Sequence, residues 1–173
     1  ECSRYDIHQP RLYPFRIMAI AKDVADSVRS TANDLLQLGL RYADAADFLK
    51  VALGRIAAAL AVEKVTVVRR STGRWTTAAA VGGGTLPHPD LLADALDREA
   101  ATTADGYLAV PLEHHAASGE LLVLQPRDPA QLPRLQEAVE QLTPSFGMAL
   151  NAVRNSQRER RRRIRLDRRD ARE

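Results

Sequence analysis

Several residue types are scarce in this 173-residue chain, and each shortage excludes something. Cys2 is the only cysteine, so neither an internal disulfide nor a cysteine-built zinc site can form. That usage fits a reducing compartment, and we expect the chain in the cytoplasm. The longest uninterrupted apolar run, Ile56 to Val62, falls far short of the ~18 residues a bilayer span requires. The charged start, Glu1 rather than Met, lacks the apolar centre of a signal peptide, and the chain reads as a piece of a longer protein. No paired-carboxylate or nucleophile motif emerges. Ser71 and Ser118 lie in turns with no triad geometry to read, so no catalytic residue is assigned and no enzyme is expected.

Lysine is nearly absent as well: Lys22, Lys50 and Lys64 stand against 22 arginines. Formal net charge is +3, and it is unevenly spread. Arg154 to Glu173 holds ten arginines and four acids, so the rest of the chain is mildly acidic. A globular nucleic-acid surface usually carries its excess on the body. Here a nucleic-acid contact is expected only through the tail, where Arg158, Arg161, Arg162, Arg165 and Arg169 fall roughly on one helical face. The competing reading of the tail is a solvated helix leading to a further domain.

The periodicities suggest an order of elements. Residues 1–15, with Pro10 and Pro14, read as an extended leader. A flanking helix over 16–43 carries Ile17, Ile20, Val24, Val28, Leu35 and Leu38 at helical spacing, with Gly39 able to end or bend it. Asp44 is a good N-cap for a second helix, within which Gly54 suggests a close packing contact. From Val65 the period becomes two, and the residues to Val81 read as a hairpin turning at Ser71-Thr72-Gly73. His88-Pro89-Asp90 opens a third helix with Leu91, Leu92, Ala95 and Leu96 as its buried stripe. Thr102 to Gly106 reads as a polar connection. Tyr107 to Leu112 and Glu120 to Gln125 are strands whose apolar character suggests central places in a sheet. A last helix from about Ala130 keeps its spacing through Leu142, Phe146, Leu150 and Val153, with a kink expected at Pro144. The class is α+β: a three-layer α/β/α domain over 44–155 with a central antiparallel sheet, flanking helices and an Arg-rich helical linker over 156–173.

The stretches Leu35-Leu36-Gln37-Leu38-Gly39, Lys64 to Val81, Tyr107 to Leu112, Gly119 to Leu124 and Leu142 to Asn155 together resemble a GAF domain. GAF domains are small-molecule sensor modules of phosphodiesterases, phytochromes and bacterial regulators. The pair of segments Leu108 to Leu112 and Gly119 to Gln125 is similar to the family's last two strands, and Ala149 to Asn155 to its exit helix. The resemblance implies a non-catalytic regulatory module that forms a homodimer through its flanking helices. It would relay a signal to a covalently linked output domain, in transcription or phospho-signalling. The cyclic-nucleotide signature has no ordered counterpart after Thr66, and the cysteines of the bilin and redox branches are missing from the matching stretches. No cofactor is evident.

On this reading a small-molecule ligand would lie between the sheet and the middle helix, near Trp75, Leu92 and Tyr107. The dimer interface would use Ile17, Ile20, Val24, Val28, Leu35, Phe146, Leu150 and Val153. Gly82-Gly83-Gly84 is followed by no Lys and no immediate helix, so it reads as a flexible connection instead of a phosphate cradle. His114 and His115 are neighbours that would point to opposite faces of a strand, and with His88 they complete no metal spacing. No metal site is assigned. The alternatives to a sensor are a ligand-free dimerisation scaffold and a segment contacting nucleic acid through its tail.

Overall fold

The structure is a computed structural model that describes residues 14–83, 85–112 and 119–170, with side chains from residue 25 to 165 and at 167. The element order is α1 (Pro14–Arg41), α2 (Ala45–Leu60), β1 (Lys64–Ser71), β2 (Arg74–Val81), α3 (Pro89–Asp97), β3 (Thr102–Ala104), β4 (Tyr107–Pro111), β5 (Glu120–Gln125) and α4 (Leu132–Asp170). The strands form one antiparallel sheet in the order β2-β1-β5-β4-β3. β5 and β4 hold the interior places that their apolar runs suggest, and β1 is interior as well.

Alternation along each strand gives the sheet two apolar faces. Val65, Val67, Leu108, Val110, Leu122 and Leu124 face the larger core, where α1, α2 and α4 supply Leu35, Phe48, Leu53, Ile56, Leu142 and Phe146. Val68, Ala109, Leu121 and Val123 face the other way, under α3. Phe48 and Phe146 stack with ring centroids 6.1 Å apart, joining α2 to α4 at the centre.

Local chemistry explains the ends. Asp44 Oδ1 accepts from the backbone N–H groups of Ala46 and Asp47, capping α2. His88 caps α3, its Nδ1 accepting from the Asp90 N–H, so this histidine is occupied as a cap. α1 begins at Pro14, inside the expected leader; residues 1–13 lie outside the described residues.

Three expectations need correction. The polar stretch after α3 contains a strand: β3 pairs with β4 across a tight turn at Asp105 (φ 51°) and Gly106 (φ 79°). Gly39 does not end α1; it lies inside the helix, where an added Cβ would come 2.9 Å from Ala149 Cα on α4. Gly54, expected at a close contact, has open space where its Cβ would be. α4, for its part, continues through Pro144. Beside the proline, the Thr143 hydroxyl donates back to the carbonyl of Val139 at 2.7 Å.

α1 and α4 pack side by side in the same direction. Gly39 meets Ala149, and Asp44, just beyond α1, accepts a hydrogen bond from Gln157 Nε2 at 2.7 Å. In an antiparallel pair Asp44 would lie near residue 144, about 20 Å from Gln157 at 1.5 Å per residue.

Candidate functional site

The sheet face under α3 assembles from alternate residues of four strands. β2 contributes Trp75, β1 Val68, β5 Leu121 and Val123, and β4 Tyr107 and Ala109. α3 lays Leu91, Leu92 and Ala95 upon them. The three residues expected to surround a ligand therefore share one layer. Leu92 is fully covered, whereas Trp75 and Tyr107 are half-buried. The Arg70 guanidinium lies 5.9 Å from the Trp75 ring centroid, shielding one aromatic face.

Two polar side chains on this face stand out, and the sequence reading did not select them. β1 alternates, so Lys64 and Thr66 point the same way as Val68. Lys64 is 4% exposed, and its Nζ donates to the backbone carbonyl of Thr85, in the segment between β2 and α3. The Tyr107 hydroxyl donates to the same oxygen at 3.3 Å. Burial lowers the pKa of Lys64 by penalising its charged form. Thr66 is 1% exposed, and among the described residues its hydroxyl has no hydrogen-bond partner. Leaving a buried hydroxyl unsatisfied costs about 1–3 kcal/mol. A buried ammonium, an unpartnered hydroxyl, a phenol and a carbonyl thus gather along an otherwise apolar wall. Such a set can orient a small molecule that carries hydrogen-bonding oxygens.

Gly82 packs its α-carbon against the backbone of Glu63 with φ 86°, so the start of the glycine run is a close approach between β2 and β1. Gly82 thus has a packing role of its own, while Gly83 has open space around it. Gly84 lies outside the described residues, as do His114, His115 and Ser118.

The expected dimer seam is largely occupied inside one chain. Val28, Leu35, Phe146, Leu150 and Val153 are all at most 2% exposed and belong to the core that joins α1 and α4 to the sheet. They have no surface left for a second copy. The side chains of Ile17, Ile20 and Val24 lie outside those described. Among the described residues the helix pair exposes Leu40 (77%) and Met148 (51%), flanking the Gly39–Ala149 contact, with Leu36 half-buried one turn before Leu40, and Ile164 (52%) farther along α4. In the tail, Arg158, Arg161, Arg162 and Arg165 are exposed on α4, and the side chain of Arg169 is outside the described set.

A concave feature lies away from the α3 face. It is an open cleft of about 310 Å³ lined by Glu99, Ala101, Val110, Glu140 and Thr143, where the β3–β4 edge meets α4. No described helix is long and apolar enough to cross a membrane.

The chain matches no protein-family model and no curated protein. Among solved structures it is similar to the GAF domain of the Acinetobacter phosphoenolpyruvate-protein phosphotransferase. The identity is 14% and the TM-score 0.57, over 73% of this chain and 93% of that one. It is also similar to the GAF domain of a putative sensor histidine kinase from Pseudomonas syringae pv. tomato. There the identity is 18% and the TM-score 0.51, over 81% and 95% of the two chains. With the same layering and strand arrangement read from its own residues, the chain has a GAF-like fold.

Proposed function

We propose that the chain is a non-catalytic sensor module of a larger bacterial regulatory protein. A small molecule bound under α3 would bias how α1 and α4 pack, and α4 would carry that change to a covalently linked output domain. The observation that carries this reading is the buried Lys64–Thr66 pair. Two polar groups kept inside an apolar layer, one of them with an unsatisfied hydroxyl, are hard to account for by stability alone. The neighbours support the regulatory part, being GAF domains of a phosphotransferase and of a putative sensor histidine kinase. The partner is a second copy of the chain, docked through Leu36, Leu40 and Met148 on the outer side of the α1–α4 pair. A small shift at this packed two-state contact is the relay.

Native mass spectrometry of the chain purified from a cell extract tests the sensor reading. The expected result is a reproducible added mass that leaves on denaturation and is absent from Thr66→Val. This substitution removes only the orphan hydroxyl and keeps the side-chain shape. A bare mass for the parent chain would instead support a ligand-free scaffold, which the tight filling under α3 by Leu91, Leu92 and Ala95 favours.

A further inference from the structure

The sequence places the basic excess on the tail alone, but the fold adds a second basic element beside it. Glu120, whose side chain is 2% exposed, binds two guanidiniums at once. Arg69 Nε and Nη2 donate to Oε1 at 2.8 and 2.6 Å. Arg154 Nη1 donates to Oε2 and Nη2 to Oε1, both at 2.6 Å. One carboxylate thereby pins the far end of β1, the start of β5 and the last core-facing turn of α4 to a common point. From there β1 leads within two residues to the hairpin tip, Ser71–Arg74, and α4 leads within one turn to Arg158. The hairpin tip and the arginine helix therefore emerge at the same end of the molecule.

Among the described residues the exposed charge at this end is mainly basic, with Asp47, beside Asp44, the exposed acid at the start of α2. Arg70 and Arg74 flank the hairpin tip, and Arg158, Arg160, Arg161, Arg162, Arg163 and Arg165 follow on α4, all exposed. The exposed acids on the same stretch of α4 are Glu159 and Asp167. Glu120 is already committed to two arginines, and Asp44 to its cap and to Gln157. Four successive arginines, 160–163, at 100° per residue reach almost every side of the helix. Among the described side chains Ile164 is the one exposed apolar group on this stretch, too little to form the continuous apolar face of a membrane-surface helix. Guanidiniums pair with phosphate in two-point geometry, and an extended rod of them matches a polymer of regularly spaced phosphates.

We propose that the β1–β2 hairpin tip and the arginine helix of α4 form one composite surface for the phosphate backbone of a nucleic acid, read without regard to base sequence. This surface borders the face under α3 at Arg70, whose guanidinium lies over Trp75, while Arg74 and the α4 arginines lie outside that face. The affinity of the full chain for a short mixed-sequence DNA duplex, followed from about 50 to about 200 mM salt, tests it. Binding should weaken steeply with salt, each arginine–phosphate contact adding about 0.9 to the log–log slope. Arg70→Ala with Arg74→Ala should lower the slope by up to about 2, and Arg74→Ala alone, at a fully solvent-facing turn, by about 1. Arg134→Ala removes one charge at the opposite end of α4 and should leave the slope as it is. Three results overturn the proposal: no salt-sensitive binding by the parent, hairpin variants with the parent's slope, or tighter binding to anionic lipid vesicles than to DNA at matched charge.

Discussion

Glu120 shows how one residue can decide a local structure. Burial by itself would raise its pKa, but the hydrogen bonds and charges of Arg154 and Arg69 outweigh that and hold the carboxyl below its ordinary value of 4.5. A depressed folded-state pKa stabilises the fold above the unfolded value, and that stability is lost as pH falls from about 4.5 through the lowered one. Acid titration of thermal stability should therefore show a decline in this window, and Glu120→Gln should flatten it. At neutral pH the same substitution should cost about 1–3 kcal/mol, because Arg154 loses its counter-charge while Arg69, 46% exposed, can turn to water. Glycines give a second residue-scale test. Gly39→Ala should destabilise by about 1–3 kcal/mol despite alanine's better helix propensity, since its Cβ would collide with Ala149. Gly54→Ala, which meets nothing within 4 Å, should stabilise by up to about 1 kcal/mol. Denaturant unfolding of the two variants would show opposite signs.

Among the elements, the long ones are legible in sequence because their periodicity is redundant. α2 carries a capping aspartate and five buried positions at helical spacing, and β5 an unbroken apolar run, so few alternatives compete. β3 is different. Three residues provide too little alternation to register, and the signal that reveals it is the Asp105-Gly106 pair, whose positive φ angles suit a two-residue hairpin turn. The helix seam fails for another reason: a heptad pattern specifies that a face is buried but not by what. Here the burying partner of α1 is α4 of the same chain. The candidate site was half legible for a similar cause. Trp75, Leu92 and Tyr107 stand out by size and spacing, whereas Lys64 and Thr66 look like ordinary strand-edge polar residues until both sheet faces prove to be covered. It follows that Leu150→Glu with Val153→Glu should unfold the domain, each charge costing about 3 kcal/mol or more in a sealed core. Leu40→Glu with Met148→Glu should leave the far-UV circular dichroism and melting temperature near the parent's and yield a monomer in sedimentation. A dimer surviving the second pair would place self-association elsewhere.

For the molecule as a whole, charge and core are partitioned along one axis. Among the described side chains of α4 the last fully buried apolar one is Val153, and Gln157 makes the last hydrogen bond to another element. Deleting residues 158–173 should therefore leave the unfolding midpoint within a few degrees of the parent, a shift that corresponds to less than about 1 kcal/mol for a domain of this size. The same deletion removes most of the arginine excess, so the shortened chain should bind an anion exchanger where the parent binds a cation exchanger. A large loss of stability would show that the tail folds back onto the body.

The parallel run of α1 and α4 also fixes how the domain answers to force. The start of α1 and the end of α4 lie at opposite ends of the molecule, so tension applied through the two flanking helices slides one along the other. Every interlocked side chain between them, from Val28 to the Gly39–Ala149 notch, resists at the same time, as in a lap joint loaded in shear. Nothing peels open one contact after another, and the sheet sits to the side of the load. Spliced in this way, the two helices would pass on a pull along their common axis without first coming apart.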